Sequence, residues 1–400
     1  MHRDLVAEID VDAIRHNIGL IRRTCRPGVR LCVALKGNAY GHGVDVIAPV
    51  MSEAGVDMAA VATIGEAIEL RRLGWPRPIL CFGPMFAAPD PATRRDRIAA
   101  AVEHDLTPTV VDGYGLRDLD AEAQRQGRRV DYHVKVDTGM GRMGIAPQTA
   151  FDLIRSARWC RHARLAGVYT HLATADEADL DFAREQLARL RILIGQLAVE
   201  GIRVPMVHAA NSSAIFRLPE SHFDMVRPGL AVYGYRPSRN LPASVRLQPS
   251  LRLRSHLVLV KHVPAGHAVG YGRTFVTRRP SVLGVVPIGY NDGYSRRLSN
   301  RGVMGLAGGD APVVGRISMD QTVLDLTDVP GARVGDEVVI IDPRPDRPNS
   351  VEALAGLLGT IPYEVTCLLG NRVQRIAVHR GQASAEQEVK DVERTVPASR

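Results

Sequence analysis

The sequence predicts an α/β protein, with an N-terminal (β/α)8 barrel followed by a mainly β C-terminal domain. Eight short apolar runs alternate with helix-like stretches over the first 240 residues. A Pro-, Ser- and Arg-rich connection at Arg236 to Pro249 lacks apolar periodicity and reads as a linker. Beyond it, apolar runs are punctuated by Gly, Pro and Asp, with little helix. The expected domains are therefore residues 1–240 and 241–380, with 381–400 as a loose polar tail too poor in apolar residues for a core.

The barrel strands are expected at Leu31 to Leu35, Met58 to Thr63, Ile79 to Phe82, Thr107 to Asp112, Tyr132 to Asp137, Leu165 to His171, Met206 to Ala210 and Met225 to Tyr233. Helical apolar spacing with a charged opposite face marks Asp12 to Arg23, Val44 to Glu53, Gly65 to Leu73, Pro91 to Glu103, Gly115 to Arg125, Pro147 to Arg158 and Asp179 to Glu200. Ser212 to Leu218 leaves room for only about two turns before the eighth run. In the second domain, strands are expected at Leu251 to Val260, Ser281 to Pro287, Pro312 to Ile317, Thr322 to Leu326, Glu337 to Ile341 and Gln374 to Val378, with a helix at Val351 to Leu358.

Composition narrows the function classes. With 45% hydrophobic and 24% charged residues the 400-residue chain is ordinary globular material, not disordered or fibrous. No stretch approaches the roughly 18 to 20 consecutive apolar residues of a membrane span, and Met1 to Arg23 lacks an apolar signal core, so a cytoplasmic protein is expected. Cys25, Cys32, Cys81, Cys160 and Cys367 are widely spaced and odd in number, which favours reduced thiols. The net charge of +8 comes from scattered arginines near acids, not from a basic run, so nucleic acid is not expected as a partner. Of the 51 basic residues only Lys36, Lys135, Lys261 and Lys390 are lysine. A base composition rich in G and C explains the scarcity without saying what the survivors do. Chemistry that needs an amine able to lose its proton, however, cannot accept arginine.

Barrels carry their chemistry at the C-terminal ends of the strands. The first strand ends in Lys36 and a glycine-rich turn, the fifth in Lys135, Asp137, Met140 and Arg142, and the sixth in His171. The seventh ends in Asn211 and Ser212, and the eighth in Arg227, Pro228 and Gly229. Polar groups converging from five strands are better explained by a site than by caps and anchors. Lys36 either pairs with a carboxylate or, desolvated, loses its proton and joins an aldehyde, which is the attachment pyridoxal 5′-phosphate needs. Ser212, Gly229 and the N–H of Leu230 fit the phosphate demand near the seventh and eighth strands. Gly139 to Gly144 matches a dinucleotide fingerprint, but no Asp or Glu lies between Ile154 and Val168 to bind a ribose. No P-loop, H-E-x-x-H or G-x-S-x-G motif occurs, and the 13 histidines form no convincing metal-ligand set, so no metal is expected. His171 reads equally as a buried structural histidine or as a ring-stacking group, and Tyr271 in isolation reads as a core or interface tyrosine.

VALKGNAYGHG (Val33 to Gly43), KVDTGMGRMG (Lys135 to Gly144), YTHLATAD (Tyr169 to Asp176), Asn211-Ser212, VRPGLAVYG (Val226 to Gly234), VGYGRT (Val269 to Thr274), PIGYNDG (Pro287 to Gly293) and GRISMDQ (Gly315 to Gln321) together resemble the alanine racemase family, in order, from about Ala7 to Val378. The resemblance implies a pyridoxal phosphate barrel with a β-domain, in which residues 7–11 pack with the C-terminal domain. It implies a homodimer with shared active sites. Lys36 would be the Schiff-base lysine and the base on one face of the substrate carbon, and Tyr271 from the other subunit the base on the opposite face. Tyr40, Asn211, Ser212, Gly229, Leu230 and Tyr363 would hold the phosphate region, His171 would support the pyridine ring, and Arg227 would face the ring nitrogen. Arg142 would hold the cofactor's phenolic oxygen and, with the other subunit's Met319, the substrate carboxylate. Lys135 would be carbamylated, and Tyr290, Arg296 and Asp320 would line the entrance. The implied reaction is interconversion of L- and D-alanine, supplying D-alanine to the cell wall. A broader racemase for serine or lysine, and more remotely a barrel decarboxylase or aldolase, are the alternatives. Gly37, Asn291, Ser318 and the segment LLGNRVQR (Leu368 to Arg375) depart from the common pattern and leave the entrance contacts open.

Overall fold

A computed structural model of the chain describes residues 5–83 and 86–379, and the expected loose tail lies outside the described residues. Strands β1 (Val6–Asp10), β2 (Arg30–Ala34), β3 (Met58–Val61), β4 (Ile79–Cys81), β5 (Thr107–Val110), β6 (Val130–Lys135), β7 (Ala163–Tyr169), β8 (Val207–His208) and β9 (Met225–Val226) open the chain. Strands β2 to β9 close in sequence order into a parallel barrel, and most crossovers run through a helix on the outside. The helices start where their sequences dictate. Asp10, Asp90 and Asp112 each accept N–H bonds from the first turn of the helix that follows, and Thr63 with Glu66 forms a capping box.

The rest of the chain contributes β10 (Leu251–His256), β11 (Leu259–Val263), β12 (Ala268–Val269), β13 (Phe275–Val276), β14 (Ser281–Val286), β15 (Val303–Leu306), β16 (Gly309–Pro312), β17 (Thr322–Asp325), β18 (Glu337–Ile341) and β19 (Gln374–Val378). They form a six-stranded sheet in the order β16-β15-β18-β10-β1-β19, a three-stranded sheet β11-β14-β17 and the hairpin β12-β13. The amino-terminal strand β1 thus lies inside the C-terminal sheet, antiparallel to β10 and parallel to β19. Three expected strands differ from those observed, and one helix lies outside the expected elements. The run Pro312 to Ile317 belongs to a strand only at Pro312, the end of β16, since Gly315, at φ 74°, turns the chain out of extended backbone. The run Leu251 to Val260 is two strands, β10 and β11, broken at Leu257 and Val258. The eighth barrel run is strand only at Met225–Val226, because Pro228 and Gly229 turn the chain into a 3-10 turn, Leu230–Tyr233. The short helix Pro362–Cys367 has too few turns to show a period in the sequence.

Barrel and sheet are joined by the helix Val11–Thr24, which leads from β1 to β2. Its fully buried Asn17 donates to the carbonyls of Val232 at 3.0 Å and Gln248 at 2.8 Å and accepts from the N–H of Gln248 at 2.9 Å. One side chain thereby satisfies three backbone groups of the connection between the two domains. Replacing Asn17 by Ala strands these groups in an interior without water. The expected result is a loss of about 2–3 kcal/mol of stability, read as a lower denaturation midpoint, and an unchanged midpoint would contradict this account.

Candidate active site

The chain leaves β2 at Leu35 and enters a single left-handed turn over Lys36–Tyr40. Asn38, Ala39 and Tyr40 have φ of 51°, 53° and 55°, a conformation that costs roughly 1–2 kcal/mol for each residue with a side chain. The surroundings hold it there. The Glu66 carboxylate accepts the N–H of Gly37 at 2.7 Å while also accepting those of Ala62 and Thr63. Asn38 Oδ1 accepts the N–H of Val44 at 2.7 Å. The half-buried Arg375 on β19 donates to the carbonyls of Gly41, Leu369, Gly370 and Val373. At Gly41, φ is 83° and a Cβ would lie 1.9 Å from the Thr366 carbonyl, so only glycine lets the β-domain close on the turn. Barrel and β-domain together fix where Lys36 sits.

Four cations converge on this mouth: Lys36, Lys135, Arg142 and Arg227. Burial pushes the Lys36 ammonium below its ordinary pKa and Arg142 adds to the push, with Glu66 and Cys367 opposing. Lys135 is driven down to about 8 by burial, then by Arg227, Arg142 and Lys36. The nearby carboxylates are committed elsewhere. Asp137 accepts the N–H groups of Gly139, Met140 and Gly141, which outweigh burial and keep its pKa low. Burial, then Arg227, Arg142 and the two lysines, lowers His171 to about 3, so it is a neutral ring. The mouth is therefore a cationic surface suited to anions.

Its floor and wall are built by the last two barrel units. Ser212 Oγ accepts the N–H of Gly229 at 2.8 Å and that of Ala231 at 3.4 Å, and keeps its own hydrogen to donate. Asn211 caps the helix Ser212–Arg217. Gly229 lets Tyr40 approach the backbone closely, since a Cβ there would lie 2.6 Å from the Tyr40 hydroxyl oxygen. Tyr40 packs between Tyr233 and Tyr363, with ring centroids at 5.3 Å and 5.9 Å, and burial raises all three phenol pKa values. Arg227 is buried and donates to His208 Nδ1 at 2.9 Å, to the Thr170 carbonyl at 2.7 Å and to the Ala209 carbonyl at 3.1 Å.

The structure thus brings Lys36, Tyr40, Lys135, His171, Asn211, Ser212, Arg227, Gly229, Leu230 and Tyr363 to one region, with Arg142 electrostatically coupled to the lysines. The remaining site residues lie on the β-domain. Tyr271 and Met319 are 68% and 52% exposed. The N–H of Tyr290 bonds to the Ser318 carbonyl, and Arg296 lies exposed in a 3-10 turn. Asp320 pairs with Arg372 at 2.9 Å, and Arg372 also pairs with the buried Asp292 at 2.8 Å. Sequence reasoning missed Glu66, His208 and Arg375. The Thr63-x-x-Glu66 spacing of a capping box marks the first, and the place of His208 at the end of the seventh strand marks the second. Nothing local marks Arg375, whose partners are backbone carbonyls.

Comparison with known proteins places this geometry. The N-terminal domain model of alanine racemase matches residues 9–237 and the C-terminal domain model residues 250–377. Alanine racemase 1 of Caldanaerobacter subterraneus subsp. tengcongensis is 41% identical over 378 residues, covering 94% of this chain and 95% of that protein. The alanine racemase of D-cycloserine-producing Streptomyces lavendulae superposes with a TM-score of 0.86 at 38% identity, covering 94% of this chain and 97% of the other. That of Bartonella henselae, solved with covalently bound pyridoxal phosphate, superposes with a TM-score of 0.81 at 30% identity, covering 94% and 99%. With both domain models matched in order and the likeness running through nearly the whole length, the chain belongs to the alanine racemase family.

Proposed function

We propose that this chain is a pyridoxal 5′-phosphate-dependent racemase that interconverts L- and D-alanine and works as a homodimer with shared active sites. The observation that carries this reading is a desolvated amine, Lys36 Nζ, held on a strained turn in a mouth whose cations outnumber its free carboxylates. A cationic mouth fits a cofactor carrying a phosphate and a substrate carrying a carboxylate. Bound there, the cofactor supplies an aldehyde carbon that takes up amines and a conjugated ring that spreads the negative charge developing at the substrate α-carbon. Tyr40, Asn211, Ser212, Gly229, Leu230 and Tyr363 would hold the phosphate end, and His171 would support the ring. Arg227 would face the ring nitrogen, and because a guanidinium only donates it would keep that nitrogen unprotonated. Arg142 and the partner's Met319 would orient the carboxylate.

The lowered Lys36 pKa makes the neutral amine accessible, so Nζ can take or return the α-proton on one face of the substrate. Racemisation needs a second group on the other face. Tyr271 meets that need when a partner lends it, since in one chain its side chain is 68% exposed, and Met319 and Leu368 are exposed apolar groups as well. Tyr290, Arg296 and Asp320 would line the entrance, the last fixed by Arg372. D-alanine made in the cytoplasm would serve the cell wall. Among the described residues no helix is long and apolar enough to cross a membrane.

Lys135 is proposed to be carbamylated. Its neutral Nζ lone pair would bond to the carbon of carbon dioxide, a C=O electron pair would move to oxygen, and an N–H proton would leave to solvent. The product is an anion beside Arg142 in place of a repelling ammonium.

Purified protein loaded with pyridoxal phosphate is expected to turn over alanine faster than serine, lysine or arginine, and preference for any of these three would refute the alanine assignment. Inactive Lys36→Ala and Tyr271→Phe chains, mixed and allowed to exchange subunits, are expected to regain activity. The hybrid dimer holds one complete site if Tyr271 crosses the interface, and no recovery would exclude sharing. For Lys135, 13C-labelled bicarbonate is expected to give a carbamate resonance that Lys135→Ala lacks. In buffer free of carbon dioxide the unmodified lysine has a depressed folded-state pKa, so its buried charge costs stability below about pH 8. That cost fades as the pH rises towards about 10.4, the ordinary lysine value, at which the unfolded chain also loses the proton. Lys135→Met is thus expected to be more stable than the parent at neutral pH, with the gap closing in that window. A gap independent of pH would count against a buried ammonium.

A further inference from the structure

Beneath the cationic mouth, the barrel interior holds a chain of rings that the reaction described above does not use. Arg227 Nη1 lies 2.9 Å from His208 Nδ1, and His208 Nε2 lies 2.9 Å from His133 Nδ1. Both histidines are completely buried. His133 Nε2 has no hydrogen-bond partner among the described residues. Tyr169 stacks flat on His208, with ring centroids at 4.7 Å and an interplanar angle of 6°, and its hydroxyl is tied to Thr109 Oγ1 at 2.8 Å. Room for the His133 ring comes from Gly167, paired with it across β6 and β7. A Cβ on Gly167 would lie 2.9–3.0 Å from three ring atoms.

The proton positions follow from donor chemistry alone. A guanidinium has no acceptor, so His208 Nδ1 must accept. A neutral imidazole with a bare Nδ1 carries its hydrogen on Nε2, and that hydrogen donates to His133 Nδ1. His133 Nδ1 is then bare too, and its hydrogen sits on the unpartnered Nε2. Neither ring has a site left for a second proton, and burial acts in the same direction, lowering His133 to about 4 and His208 well below its ordinary value. The reverse tautomer of His208 would set an N–H against an N–H of Arg227 and displace the guanidinium.

The geometry points to His133 as a positioning residue that locks the Nε2–H tautomer of His208 and so keeps an acceptor facing Arg227. The hydrogen bond of His133 runs to His208 and not to Arg227, so His133 acts on the guanidinium through His208. Its effect on turnover rests on the proposed role of Arg227, whereas the tautomer assignment does not.

Two measurements separate these layers. In holoenzyme labelled with 15N-histidine, the long-range 1H–15N spectrum is expected to show His208 and His133 neutral and in the Nε2–H form. An Nδ1–H or charged His208 overturns the inference whether or not the protein racemises alanine. His133→Asn offers an amide oxygen near the place of Nδ1 and is expected to preserve the His208 tautomer and keep kcat within about 3-fold. His133→Leu offers no acceptor. It is expected to release the tautomer and lower kcat by about 10- to 100-fold with little change in KM, the scale seen when a group that orients an active-site ligand is removed. Equal spectra and equal kcat for the two variants would overturn the lock. If His133→Leu fails to fold, the parent and His133→Asn spectra still decide. If no amino acid is turned over by any of the proteins, the racemase reading falls and the tautomer result stands by itself.

Discussion

The site is organised around an excess of positive charge at the barrel mouth, where Lys135 and Arg227 are buried, Lys36 is half-buried and Arg142 is exposed. Lys36, Lys135, Arg142 and Arg227 repel one another in a mouth where Asp137 is spent on loop N–H groups and Glu66 on the backbone beneath the lysine turn. Burying like charges together costs far more than it returns unless something anionic shares the space. Two responses are open to the protein itself. A lysine gives up its proton more readily, as the lowered pKa of Lys36 and of Lys135 describes, or an arginine, which cannot, is braced by neutral acceptors. Arg227 takes the second course through His208, Thr170 and Ala209.

The same constraint accounts for the left-handed turn at Lys36. A right-handed helix starting at the end of β2 would carry the lysine along the barrel wall in the usual βα manner. Five consecutive residues at positive φ, Gly37 to Gly41, instead reverse the chain within one turn and place Tyr40 against Gly229. Such strain persists only when the surroundings over-determine it, and the ties come from two bodies of structure. Glu66 belongs to the second barrel unit and Arg375 to β19, more than 300 residues further on. Loosening the C-terminal sheet therefore reaches the amine without any change in the barrel, which gives the β-domain a part in setting Lys36.

Much of this was legible in the sequence, and the missing part has a common cause. Alternating apolar runs report a barrel because each strand and helix must bury one face, and that requirement is local. The ends of the strands then name Lys36, Lys135, His171, Ser212 and Arg227 as neighbours, because closure of a parallel barrel brings every strand end to one rim. The left-handed turn was hinted at only by Gly37, Gly41 and Gly43. Nothing in Asn38-Ala39-Tyr40 announces positive φ, since the penalty there is met by groups distant in sequence. The His133–His208 pair was invisible for a related reason. Facing residues across β6 and β8 depend on barrel register, which short strands of two to six residues do not specify. Met225 to Tyr233 misled because its apolar residues are buried for packing around Tyr40 and not as a strand.

Depth in the barrel, more than the scarcity of lysine, separates the groups that move protons from those that hold them still. Lys261 also escaped replacement by arginine, yet it lies on the short sheet at β11, outside the buried mouth, so rarity alone selects nothing. At the rim, burial lowers the pKa of both amines, that of Lys135 to about 8, so each reaches its neutral form more readily than an exposed lysine. One layer down, every proton has a single place: Arg227 can only donate, His208 can only receive from it, and His133 ends the row with a hydrogen that has nowhere to go. A row with one allowed arrangement stores no proton and offers none, so it presents a fixed field to the rim above. Proton traffic is then confined to the rim, where the reactive carbon of a bound substrate would sit, and cannot leak into the floor beneath it.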